Sequence, residues 1–217
     1  VFPALSAACA AGGGGALSAP ADLPLPFIAG ACIVAVLPII RMGHPTLRTV
    51  ATALPVRPGL PFPEEIQRLA GDMIETMLAA PGIGLAAPQV DVSQRIIVFR
   101  VPAERASGAD GDTALGNQVL INPEFVALTD EKRLGWEGCL SIPGLRGIVP
   151  RHARIRYRGY DLEGDLVERE ATGTHARVIQ HELDHLDGVL YLDRMPDLGK
   201  LTFTEEMVHF TADALKG

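Results

Sequence analysis

The stretch Gln180-His181-Glu182-Leu183-Asp184-His185-Leu186-Asp187-Gly188 constrains this chain more than any other. It contains His-Glu-x-x-His, and on a helix that spacing puts His181 and His185 one turn apart on one face. Both imidazoles then reach a single metal ion, and Glu182, beside the first of them, reaches a water on that ion. Residues Thr174 to Ile179 read as the start of the same helix. Thr172 or Thr174 serves as its N-cap, and Gly188 stands where a helix C-terminus favours a left-handed residue.

Two histidines four apart also occur on ordinary exposed helices, so the motif needs a third ligand before it reads as a metal site. Gly188 completes the His-x-x-Gly of metzincins, but Tyr191 stands where their third histidine would be. Glu205 and Glu206 lie downstream, as the third ligand of thermolysin-like enzymes does, yet Thr204-Glu205-Glu206-Met207 does not match that ligand's surroundings. The third ligand comes from elsewhere.

At 217 residues the chain is long enough to bury a core of one ordinary domain with an appendage. A net charge of −7 argues against direct nucleic-acid binding. Three cysteines, Cys9, Cys32 and Cys139, are too few for a disulfide framework and point to a reducing compartment. Residues 1–40 carry one charge, Asp22, and are rich in Ala, Gly and Pro. The apolar run Leu25 to Ile40 is interrupted by Pro26, Gly30 and Pro38, and no basic segment precedes it. Residues 1–35 therefore read as a non-catalytic N-terminal extension, disordered or, less favoured, a weak membrane anchor; no stable membrane association is expected. A compositional shift near Val36 opens the catalytic domain, residues 36–217.

Within that domain Arg41 to Pro45 reads as a turn, with His44 a turn residue and not a ligand. Ile66, Leu69, Ala70, Met73, Ile74, Met77 and Leu78 fall at helical spacing between Pro63 and Ala79, with Glu64 and Glu65 suited to the positive end and Pro81-Gly82 a stop. Gly82-Ile-Gly-Leu-Ala-Ala-Pro-Gln89 has neither Rossmann nor P-loop spacing; its small residues let another backbone approach closely. Ile96 to Val101 is a buried strand, Ala103 to Gly116 a polar loop, and Val119 to Leu128 a strand broken at Asn122-Pro123. Arg154 to Tyr160 turns at Glu163-Gly164-Asp165 and returns through Leu166 and Val167 as a hairpin. Thr202-Phe203-Thr204-Glu205 has capping-box spacing and is expected to open a C-terminal helix. Strands and helices interleaved irregularly argue for α+β: mixed, mainly antiparallel sheets around the His-Glu-x-x-His helix, with an N-terminal and a C-terminal helix.

The best candidate for the missing ligand is Cys139, in the glycine-containing loop Glu137-Gly-Cys-Leu-Ser141; the alternative is a buried structural cysteine. One Cys with two His is a recognised set that keeps a fourth position open, as catalytic sites require. Three motifs now stand in order: Gly82 to Gln89, Glu137 to Ser141 and Gln180 to His185. Together the chain resembles peptide deformylase, the metallohydrolase that removes the formyl group from the N-terminal methionine of new proteins. The resemblance runs from about Val36 to Asp197.

That resemblance implies Cys139, His181 and His185 as metal ligands and Glu182 as catalytic acid/base. It also implies Gln89, through its side-chain amide, and Leu140, through its backbone N–H, as donors to the oxyanion. The metal-bound water would attack the formyl carbonyl. Formamides are poor electrophiles with a poor leaving group, which is why the reaction needs all these parts. Gly82 and Gly84, in an exposed strand, would pair with the substrate backbone, and Val178, one turn before His181, would line the methionine pocket, with Trp136 weighed beside it. Asp184 would act by fixing its neighbours, and Arg151 or Arg146 would pair with Glu137 or Asp184. The cofactor implied is one divalent ion, Fe²⁺ favoured and Zn²⁺ or another divalent metal possible. The implied substrates are N-formylmethionyl peptides and nascent chains near the ribosome, in a bacterial cytoplasm or alternatively a mitochondrion or plastid. Rival readings are a zinc-dependent peptidase or other amidase, and an inactive deformylase-like binding protein; the latter would be expected to have lost Glu182 or a ligand.

Overall fold

In a computed structural model that describes residues 35–210, the helical spacing after Pro63 becomes helix α1 (Glu64–Ala79). It buries Ile66, Ala70, Met73, Thr76 and Met77. The chain then forms strands β1 (Gly84–Ala86), β2 (Ile96–Val101), β3 (Leu115–Ala127), β4 (Lys132–Cys139), β5 (Ile142–His152), β6 (Arg154–Tyr160) and β7 (Leu166–Thr172). Helix α2 (Gly173–Leu186) and the short strand β8 (Leu201–Phe203) complete it. Every strand pairing is antiparallel. One sheet has the order β1-β2-β3-β6-β7 and the other β4-β5-β8. The fold is α+β, and no helix among the described residues is long and apolar enough to cross a membrane.

The five-stranded sheet is covered on both faces, which explains the unbroken apolar run of β2. Ile96 and Val98 pack with Met73, Met77 and Leu85 on the α1 side, while Ile97 and Phe99 join Ile179, Leu183 and Leu186 of α2. Helix α2 is buried on nearly every side, and its polar residues are buried with it. Gln180 answers this by bonding the β5 backbone twice, accepting from His152 N (2.9 Å) and donating to His152 O (3.1 Å). Apolar packing on one sheet and side-chain hydrogen bonds to the other thus set the helix's rotation. A third cluster, Leu47, Ile142, Val149, Leu190 and Tyr191, closes the three-stranded sheet.

Three expectations need correction. Cys139 ends strand β4 rather than lying in a loop; Leu140 and Ser141 make the turn of a β4–β5 hairpin that sequence reading missed. Glycine and proline within these strands masked them, yet Gly135 and Gly138 are there because the guanidiniums of Arg177 and Arg146 cross the strand where a Cβ would stand. The break at Asn122-Pro123 is a register shift inside one long strand that begins at Leu115; Asn122, at φ 50°, uses its amide to bond both N and O of Leu54. Thr202 does not cap a helix: it lies in β8 opposite Arg146, and a six-residue 3₁₀ turn, Thr204–His209, follows. Residues 1–34 and 211–217 lie outside the described residues, and with them nearly all of the expected extension and the end of the expected C-terminal helix. From Ala35 the chain is anchored to α1, with Ala35 N on Asp72 Oδ1 (2.7 Å) and Leu37 N on Thr76 Oγ1 (2.8 Å).

Candidate active site

Helix α2 begins without a side-chain cap from Thr172 or Thr174. The free backbone N–H of His175 is met instead by buried Asp112, which also accepts from Ser107 N (3.0 Å) and Oγ (2.7 Å). Asp112 comes from the polar loop before β3, so that loop supplies the cap in trans. Thr172 and Thr174 donate to Asp110 O and Arg105 O and fasten the same loop to the helix start. At the other end Gly188 has φ 71°, the left-handed stop expected of it.

Two turns along α2, the His181 and His185 rings lie 5.1 Å apart at 72°. The end of β4 brings Cys139 Sγ to 3.1 Å from His185 Nε2. One donor atom from each of Cys139, His181 and His185 lies within 4.8 Å of the other two, which is the only such triad among the described residues. Glu137 takes the Nδ1 side of His181 at 2.9 Å, turning the opposite nitrogen toward the cluster. Glu137 is itself held by Arg151 through Nε (2.8 Å) and Nη2 (2.9 Å), and by Arg177 (2.8 Å). Arg151 reaches on to Asp184 (2.6 Å), which Arg194 also binds (2.8 Å). Arg151 therefore pairs with both acids proposed for it, whereas Arg146 pairs with neither.

These contacts set the charges. Burial pushes the Glu137 carboxyl up, but hydrogen bonds from Arg151 and His181 outweigh it and hold it well below the usual carboxylate range. Burial also opposes charge on His181, yet its bonds to Cys139 and Glu137 raise it well above an ordinary histidine. His185 goes the other way, lowered by burial and then by the charge on His181. Glu182, beside His181, has no such support: burial pushes it up to about 7 despite the pull of His181, and its Oε2 has no protein partner. A sulfur, two imidazole nitrogens and an unanswered carboxylate oxygen at one cavity suit a divalent cation with an open position.

The cavity, of about 420 Å³, is lined by Gly82, Gly84, Gln89, Cys139, Leu140, Val178, His181 and Glu182, with Trp136 among the remaining walls. Of the ligand, catalytic and substrate-binding residues expected from sequence, His185 alone does not line it and is buried; the supporting Asp184 and Arg151 also lie outside its walls. Gly84 opens β1, the edge strand of its sheet, and Gly82 stands two residues before it. Any Cβ at 84 would collide with Glu182 Oε1 and come within 2.8 Å of Val178 Cγ2, so only glycine lets the strand pass so close to the acid. Gln89 is oriented from behind: Ala86 N donates to its Oε1 (2.9 Å), leaving Nε2 to point at Ser141 Oγ (3.2 Å) and Cys139 Sγ (3.5 Å). Ser141 and Arg177 were not singled out from sequence. Arg177 falls four residues before His181, and that helical spacing was the available signal.

A family model, polypeptide deformylase, matches residues 36–201. Peptide deformylase 1 of Bordetella pertussis is 48% identical over 167 residues, spanning 77% of this chain and 92% of that protein. Peptide deformylase 2 of Ralstonia nicotianae is 46% identical over 169 residues, with the same two shares. Among solved structures, the Met-Ala-Ser-bound class I type b peptide deformylase of Acinetobacter baumannii is similar with a TM-score of 0.67 and 35% identity, covering 75% of this chain and all of that one. The peptide deformylase of Thermotoga maritima is similar with a TM-score of 0.65 and 37% identity, over 75% and 99% of the two chains. Family model, relatives and site geometry agree: the chain belongs to the polypeptide deformylase family.

Proposed function

We propose that this chain hydrolyses the formyl group from the N-terminal formyl-methionine of newly made proteins, releasing formate and a free amine. Cys139, His181 and His185 would hold one divalent cation, Fe²⁺ favoured and Zn²⁺ suited to the same donors. When bound, that cation supplies Lewis acidity and a nucleophile from water at neutral pH. Glu182 Oε takes the proton from the attacking water and returns it to the departing amine; a carboxyl titrating at about 7 is matched to both halves of that task. Gln89 Nε2 and the Leu140 N–H donate to the oxygen on which negative charge develops. The open edge of β1, with Gly82 and Gly84, receives the substrate backbone, and Val178 meets the methionine side chain. Glu137 positions His181, and Asp184 positions Arg151, which in turn holds Glu137.

The domain that does this is residues 36–217, with residues 1–35 a non-catalytic extension. The setting is a bacterial cytoplasm, where formylated nascent chains emerge at the ribosome, without direct binding to nucleic acid. The observation that carries this reading is the convergence of the Cys139, His181 and His185 donors beside a cavity that Glu182 and Gln89 also line, next to an edge strand. Its test is formate release by the iron-loaded protein from formyl-Met-Ala-Ser, against acetylated and unblocked Met-Ala-Ser. Formate from the first alone is expected, with every peptide bond intact. Peptide-bond cleavage would indicate a peptidase. In Cys139→Ala, metal content and formate release should be lost together; full metal occupancy in that variant would remove Cys139 from the ligand set.

A further inference from the structure

Three arginines line the cavity, Arg105, Arg146 and Arg177, against two acids, Glu137 and Glu182. Both acids are buried, and Glu137 is committed to Arg151, Arg177 and His181. The charge nearest solvent is therefore positive, on a chain whose net charge is −7. Arg177 is tied down by Glu137 and by the carbonyls of Gly135, Val149 and Arg133. Arg105 and Arg146 differ: neither guanidinium has an ion-pair or hydrogen-bond partner among the described residues.

Both are nonetheless held in place. Arg146, half-buried on β5, runs across Gly138 next to Cys139, in space that any side chain at 138 would fill. Exposed Arg105 belongs to the loop that Asp112, Thr172 and Thr174 fasten to the start of α2; Thr174 Oγ1 donates to the Arg105 carbonyl at 2.7 Å. Two guanidiniums with unused donors thus face one cavity from β5 and from the loop before β3. They share that cavity with Glu182 and Cys139, where the formyl end of a peptide would sit. Arginine presents a planar fork suited to a carboxylate.

Resting on the deformylase reading above, we propose that Arg146 and Arg105 recognise a carboxylate carried just after the formyl-methionine, so that nascent chains with Asp or Glu at the second or third position are preferred. The terminal carboxylate of a very short formyl peptide offers the same chemistry, and the test separates the two sources. It measures kcat/KM of the iron-loaded full chain on formyl-Met-Ala-Ala-amide, its Asp and Lys versions at positions two and three, and formyl-Met-Ala-Ala with a free C-terminus. Asp should exceed Lys by roughly five- to tenfold at low salt, mainly through KM, and the ratio should shrink toward one at about 0.5 M salt. The ratio is read within each variant: Arg146→Gln and Arg105→Gln should each lower it, and the double variant should bring it to about one. Equal rates for Asp and Lys, or a ratio untouched in the double variant, would overturn the proposal. So would a preference for the free C-terminus without one for the Asp amides. Calorimetric binding of the products Met-Asp-Ala-amide and Met-Lys-Ala-amide reads the same ratio without turnover. Absence of formate from every peptide would then sink the deformylase reading, while the binding ratio still decides this one.

Discussion

In the proposed reaction Glu182 moves the proton, and its burial also destabilises the metal-free protein. Because the proposed role is proton transfer without a bond to the cation, Glu182→Ala is expected to keep full metal content and lose about 10²–10⁴-fold in kcat. A variant with near-normal kcat would exclude Glu182 from proton transfer. Its raised pKa has a second consequence. Between the ordinary value of 4.5 and about 7 the unfolded chain releases this proton while the folded, metal-free protein keeps it, so stability falls as pH rises through that window. The loss is on the order of 3 kcal/mol by pH 8. Urea unfolding of metal-free protein should show Glu182→Gln overtaking the parent as pH is raised from 4.5 to 8; parallel pH profiles would mean that burial does not act on this carboxyl as described. Glu137 has the opposite sign, its depressed pKa lending stability that disappears as pH falls below the ordinary carboxylate range.

Elements differed in how plainly their sequences announced them, and the reason is what each packs against. Helix α1 and strand β2 face apolar partners, so periodicity and an unbroken apolar run found them to within a residue. The hairpin of β4 and β5 packs apolar residues of β5 on one cluster, but β4 and the start of β5 also meet guanidiniums and carboxylates, and there the sequence shows glycine and charge where a strand usually shows Val or Ile. The site was readable because its motifs are short and chemically specific; the parts that orient it were not, because they come from distant segments. Asp112 is the clearest case: nothing near it in sequence says that it caps a helix starting 61 residues later at Gly173. Asp112→Ala should destabilise the protein by about 1–2 kcal/mol, as lost caps do, and open residues 103–114 to limited proteolysis. Unchanged protease resistance of that loop would show that Thr172 and Thr174 fasten it alone.

At the scale of the molecule, the candidate centre lies at the seam between two sheets. Gly84 and Gln89 lie in or just after β1 of one, Cys139 comes from the other, and α2 supplies both imidazoles between them. All these residues lie beyond Ala35, so deleting residues 1–34 should leave melting temperature and kcat/KM on a formyl-methionyl peptide unchanged. A large fall in turnover at unchanged yield would give the extension a part in catalysis. The strand order has a further result for biosynthesis. Strands β3 and β6 are neighbours although the whole β4–β5 hairpin separates them in the chain, and α2 packs on β1 and β2, translated some ninety residues earlier. Translation runs from N- to C-terminus, so all five strands of that sheet are synthesised before His181 and His185. The ion can therefore be taken up only after α2, whose apolar face completes the core over β1 and β2, has been made and has docked.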